Sequence, residues 1–124
     1  MEQKKPFQER RKYVRLKATV EVGYAVIGKP GEVNVFSKNI SAGGLCILSA
    51  KQLPVDTPLQ LEIKIPDLKD PIPALARVVW QRQAQGPSDQ SGASFETGIE
   101  FTGISDFDRF NIKRYIEEHI GGAM

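Results

Sequence analysis

The sequence predicts a mainly β domain: an antiparallel barrel or sandwich of about six short strands, followed by one helix. Three observations carry this. Apolar residues alternate with polar ones in several short runs. Clusters of Gly, Pro, Ser and Asn separate those runs. The one stretch with helical spacing lies at the C-terminal end.

Val20, Val22, Tyr24 and Val26 alternate with Glu21, Gly23 and Ala25, the period of a half-buried strand. Gly28-Lys29-Pro30-Gly31 reads as a tight turn, and 32–36 can pair back as a second strand. Asn39 to Gly44 reads as a loop of small residues. Leu45-Cys46-Ile47-Leu48 is a continuous apolar run too short for a helix, hence a buried strand. Leu59, Leu61, Ile63 and Ile65 give the cleanest alternation, and 66–73, with three prolines, is a connection. Residues 74–83 form a further strand ending around Val78-Val79-Trp80. The polar, breaker-rich stretch 85–93 reads as a mobile loop. Phe95, Thr97, Ile99 and Phe101 mark the last strand, with Glu96 and Glu100 on its solvated side. Ser105, with Asp108 three residues on, starts a helix in the manner of a capping box. Ile112, Tyr115, Ile116 and Ile120 share its apolar face with His119, Gly121-Gly122 ends it, and Phe107 and Phe110 fall off that face.

With 124 residues, 40% of them hydrophobic, the chain has room for one core. No apolar run approaches the roughly 18 residues of a membrane span, and the N-terminus lacks a signal-peptide pattern, so a cytoplasmic protein without membrane insertion is expected. One cysteine, Cys46, excludes an internal disulfide, and with a single histidine it also excludes the usual zinc clusters. Cys46 reads as a buried small hydrophobe and His119 as structural. Charge is uneven. Residues 1–17 hold seven basic and two acidic side chains, whereas 18–124 hold ten basic and thirteen acidic. Residues 1–12 are therefore expected to be a flexible basic arm on a mildly acidic domain spanning 13–120, with an anionic partner for the arm.

Two short constellations carry chemistry. Arg11 and Arg15 are four apart, roughly 13 Å if extended and closer in a helical turn, and either way point to one side. Their planar forks suit phosphates and guanine edges, and a solvated basic arm is the alternative. Asn39-Ile40-Ser41-Ala42-Gly43-Gly44 offers short polar groups and glycines that admit close backbone approach; a turn bonded to its own backbone is the alternative. In this order, ahead of an apolar strand, they resemble the PilZ domain family, whose signatures are Arg-x-x-x-Arg and Asp/Asn-x-Ser-x-x-Gly. Gly98-Ile99-Glu100-Phe101-Thr102 before the helix is also similar to that family. Position 39 carries the asparagine variant of the second signature.

The resemblance implies a six-stranded antiparallel β-barrel with a C-terminal α-helix. It further implies a bacterial receptor for the second messenger cyclic di-GMP, with no cofactor and no catalysis. Arg11 and Arg15 would clamp phosphates and guanine edges, Asn39 and Ser41 would hydrogen-bond a guanine, and Gly44 would let the backbone approach. Arg10 precedes the first motif arginine, as an arginine does in members that bind an intercalated ligand pair, and would be an added contact. Trp80 is either a stacking side chain or a core tryptophan. The arm would order over the ligand and change the surface shown to a separate downstream protein. Two rival readings stand beside this one. The first is a PilZ-like interaction module without ligand. The second is a small barrel that binds nucleic acid, opposed by the confinement of positive charge to the arm. No phosphate-loop motif or base beside Ser41 supports an enzyme.

Overall fold

A computed structural model describes residues 13–84 and 95–121. Six strands, β1 (Glu21–Val26), β2 (Val33–Ser41), β3 (Gly44–Ser49), β4 (Pro58–Lys64), β5 (Ile72–Gln83) and β6 (Phe95–Gly103), precede one helix, α1 (Asp106–Gly121). The strands close into an antiparallel barrel in the order β1-β2-β3-β6-β5-β4. The sandwich is thereby excluded and the six-stranded barrel with a C-terminal helix is what forms. Among the described residues, no helix is long and apolar enough to cross a membrane.

The alternation read from sequence is the inside–outside alternation of the barrel wall. Val22, Tyr24, Leu59, Leu61, Ile63, Ile72, Ala74, Ala76 and Val78 point inward and are buried. On the far wall Ile40, Leu45, Ile47, Ile99 and Phe101 complete the core. Ile112, Tyr115 and Ile116 of α1 also join it, whereas Ile120 is largely exposed. The Ser105 hydroxyl accepts the Asp108 amide at 3.0 Å, the cap expected from the spacing. His119 is exposed rather than packed: it follows α1's last buried turn, with its Nδ1 2.8 Å from the Tyr115 carbonyl oxygen. Phe107 and Phe110 lie on the solvent side of α1.

Two expectations about the strands change. Asn39 to Ser41 is not a loop: it extends β2, and only Ala42 and Gly43 turn the chain into β3. Likewise β5 starts at Ile72, inside the proline-rich connection, and Pro73 is tolerated as an outward-facing strand residue. The segment 85–93, read as a mobile loop, lies outside the described residues, as does the arm 1–12.

Of the barrel's three register shifts among the described residues, one lies between Leu75 and Ala76 of β5, and the other two re-aim side chains toward one face. The β2–β3 register shifts between Ser37 and Asn39, and the β5–β6 register shifts between Val78 and Trp80. Each inserts one residue, so Asn39 and Trp80 land on the outer face where an unbroken period of two would turn them inward. β3 is held close to β6 between them. A Cβ on Gly44 would strike the Ile99 carbonyl oxygen, a backbone atom that cannot swing aside. Gly44→Ala should therefore destabilise the fold by about 3 kcal/mol, the upper range for overpacking. Urea unfolding measures this, and a loss within the scatter of a neutral surface substitution would contradict the close approach.

Candidate functional site

Leu16 lies outside any strand, but its N–H donates to the Ile40 carbonyl at 2.8 Å and its carbonyl accepts from the Ile40 N–H at 2.9 Å. The Ser37 hydroxyl extends this seam. It donates to the Ala18 carbonyl at 2.7 Å and accepts the Val20 N–H at 3.0 Å. The segment after the arm is thereby laid along β2. Arg15 is brought beside Asn39, and its Nη1 donates to Asn39 Oδ1 at 3.1 Å. Two motifs separated by a whole hairpin thus meet through backbone pairing.

They meet at the edge of an open cleft of about 1000 Å³ on the outside of the barrel. Its floor is one cross-strand row. Asn39 pairs with Cys46, Cys46 with Gly98, and Gly98 with Trp80. The middle of the row is small, so the floor is concave between Asn39 and Trp80. Trp80 is 36% exposed, so it is not a core tryptophan. Its indole lies flat on Gly98, where any Cβ would overlap the ring. Of the residues singled out in the sequence, Arg15, Asn39, Ser41, Gly44 and Trp80 all line this cleft. Arg10 and Arg11 lie outside the described residues.

Ser41 has a second task. Its hydroxyl accepts the Gly43 N–H at 3.1 Å and donates to the Gly44 carbonyl at 3.2 Å, which builds the β2–β3 turn. One acceptor lone pair remains. Asn39 bonds Arg15 instead of its own backbone. Gly44's missing Cβ is required by Ile99, a structural demand beside the approach expected of it.

Four residues of the cleft escaped the sequence reading: Tyr13, Lys38, Arg82 and Arg109. Arg109, from α1, donates to the Ala42 carbonyl at 2.8 Å and the Tyr13 hydroxyl at 3.2 Å, with its guanidinium 5.5 Å from the Tyr13 ring centroid. It ties the helix to the turn and to the segment carrying Arg15. Positive charge is therefore not confined to the arm. Arg15, Lys38, Arg82 and Arg109 line the cleft against two carboxylates, Glu96 and Glu100. An overall acidic body hid this, because composition averages over a surface that the barrel sorts by face.

A PilZ domain family model matches residues 9–118. The chain belongs to the PilZ domain family. Bacillus subtilis inhibitor of motility (MotI/DgrA) is similar at 25% identity and a TM-score of 0.74, over 91% of this chain and 52% of that one. The chain thus spans about half the length of that protein. The PilZ domain of Escherichia coli YcgR, solved with c-di-GMP, is similar at 16% identity and a TM-score of 0.72, over 92% of this chain and 94% of that one. MrkH, described as a c-di-GMP dependence transcription regulatory factor, is 14% identical with a TM-score of 0.66, over 92% of this chain and 51% of that one. No curated protein matches the sequence. Within the PilZ frame, both family signatures meet here as far as the described residues extend, at Arg15 and at Asn39, Ser41 and Gly44.

Glu96 departs furthest from expectation. It is not on a solvated face but buried, its side chain 6% exposed. The hydrogen bond from Lys38, and then that from Arg82, hold its carboxyl below the ordinary value of 4.5 against the opposing pull of burial. A carboxyl whose folded pKa lies below its unfolded one adds stability that is complete above the unfolded value. That stability is lost as pH falls through the folded value. Wild type should therefore lose its advantage over Glu96→Gln as urea unfolding is followed from neutral pH down to about pH 3. A gap between the two that stays constant with pH would contradict the pairing.

Proposed function

We propose that this PilZ chain is a cytoplasmic receptor for cyclic di-GMP that acts as an adaptor and not as an enzyme. The observation that carries the reading is the cleft itself. Arg15, Asn39, Ser41 and Gly44 converge at one end of a concave, cation-lined floor, and an exposed indole stands at the other. Cyclic di-GMP offers two phosphates and two guanines on one compact ring, and each class of group has a counterpart here. Arg15 can take a phosphate oxygen or the O6/N7 edge of a guanine bidentately. The Asn39 side chain can bond a guanine edge, and the remaining lone pair of Ser41 can accept from it. Trp80, held flat on Gly98, offers a face on which a base can stack.

In this reading residues 1–12 are a basic arm, and Arg10 and Arg11 join Arg15 when the dianionic ligand is bound. The composition of the arm gives it too little apolar surface to fold alone, so binding supplies the order. The link to a downstream protein runs through Tyr13 and Arg109. A pull on the arm acts on Tyr13, and Arg109 joins Tyr13 to the first turns of α1, where Phe107 and Phe110 are exposed.

Calorimetric titration of cyclic di-GMP into the folded protein should give saturable binding that Arg11→Ala and Arg15→Ala each abolish or weaken by at least about tenfold. GTP should not substitute for it. No heat with wild type would overturn the receptor reading in favour of a ligand-free interaction module. Tight, salt-sensitive binding of a single-stranded oligonucleotide in its place would favour the nucleic-acid barrel.

A further inference from the structure

A carboxylate taken out of water is tolerated only where cations meet it. Glu96 is met by two, from different strands. Arg82 stands at the paired position on β5, with Nε at 2.9 Å and Nη2 at 2.8 Å from Glu96 Oε1. Lys38 is the inserted residue of the β2 bulge, and it reaches over β3 to place Nζ 2.8 Å from Glu96 Oε2. The exposures are unequal in an informative way. The carboxylate side chain is 6% exposed, whereas Lys38 is 42% and Arg82 59% exposed. The anion lies underneath and the cations lie on top.

Neither cation is used up by Glu96. Arg82 spends Nε and Nη2 on one carboxylate oxygen, which leaves Nη1 outside that contact, and the Lys38 ammonium has further donors. The Arg82 guanidinium also lies 5.4 Å from the Trp80 ring centroid, which limits its orientation from a second side. Arg15, Lys38, Arg82 and Glu96 line the same cleft as Cys46. The Cys46 thiol is pushed up by burial and by Glu96, and is pulled the other way by Lys38, Arg15 and Arg82. Arg15 sits at the Asn39 end of that row, and Arg82 two residues along β5 from Trp80 at the other.

We propose that Lys38 and Arg82, seated on Glu96, form a second anion-binding wall of the cleft, across Cys46 from Arg15, and that it takes a phosphate of the bound dinucleotide. This rests on the receptor reading of the cleft and adds three residues outside both family signatures. Glu96 is a positioning residue. It touches no ligand atom, but it orders two long side chains before the ligand arrives, so binding does not have to order them.

The sign of one substitution separates positioning from charge. If Glu96 acted only through its charge, Glu96→Gln would remove an anion from an anion site and tighten binding. If it positions the wall, Glu96→Gln weakens binding although the cleft has become more positive. The test is titration of cyclic di-GMP at several NaCl concentrations into wild type, Glu96→Gln, Lys38→Met and Arg82→Gln, with folding followed by circular dichroism. Lys38→Met and Arg82→Gln change half-exposed side chains and keep the test valid should Glu96→Gln misfold. Each of the three should weaken binding about tenfold. The two cation variants should also show a flatter dependence on salt. Cation variants that keep wild-type affinity and salt dependence, or a folded Glu96→Gln that binds as tightly as wild type or more so, overturn the wall. Wild type that binds nothing overturns the receptor reading and the wall with it.

Discussion

Leu16, outside any named strand, exchanges two backbone hydrogen bonds with Ile40 of β2, and the geometry of the cleft follows from them. Without this bridge, Arg15 would be one more basic side chain on a solvated segment, more than twenty residues from Asn39. With it, β2 gains a short extra partner past the end of its pairing with β1, and Arg15 is set at hydrogen-bonding distance from Asn39. Ser37 secures the same seam further along. It does so with a buried hydroxyl whose donor and acceptor are both used, so burying it leaves no polar group unsatisfied. The functional end of the molecule is thus assembled by ordinary backbone and hydroxyl pairing, and the charged side chains are carried into place by it.

The barrel supplies the other half of the geometry through its irregularities. A regular strand would alternate strictly, and neither Asn39 nor Trp80 would then face the cleft. The bulges at Lys38 and Val79 change the phase of β2 and β5 on both sides of the β3–β6 pair. Small residues on that central pair, Cys46 and Gly98, keep the floor low. One bulge also delivers Lys38, so a single inserted residue both re-aims Asn39 and adds a cation.

What could be read in the sequence follows from which interactions are local. The alternation of Leu59, Leu61 and Ile63, the Ser105 cap and the apolar stripe of α1 depend on neighbours within a few residues, and they appear as expected save that the stripe stops at Ile116, short of His119 and Ile120. The two short motifs were legible as a pair because their order and separation are specific. Lys38, Arg82 and Arg109 were not legible. Their place in the cleft depends on strand register and on the helix returning over the β2–β3 turn, which no local pattern encodes. The strand period places Glu96 on a solvated face, and it does point outward. Its burial comes from two cations that lie over it from other strands. Asn39 to Ser41 looked like a loop for a similar reason, since polar residues in a strand that borders a cleft lack the alternation of a strand that borders water.

Each of the six strands has a hydrogen-bonded neighbour on both sides. A closed sheet has no strand with a whole edge free, so it offers a partner no long row of backbone donors and acceptors on which to add a strand of its own. Recognition by another protein is then written mainly in side chains and shape. The barrel is indifferent to backbone-driven aggregation in the same measure, and a change of partner in the course of evolution would require only outward-facing residues to change, leaving the fold beneath them untouched.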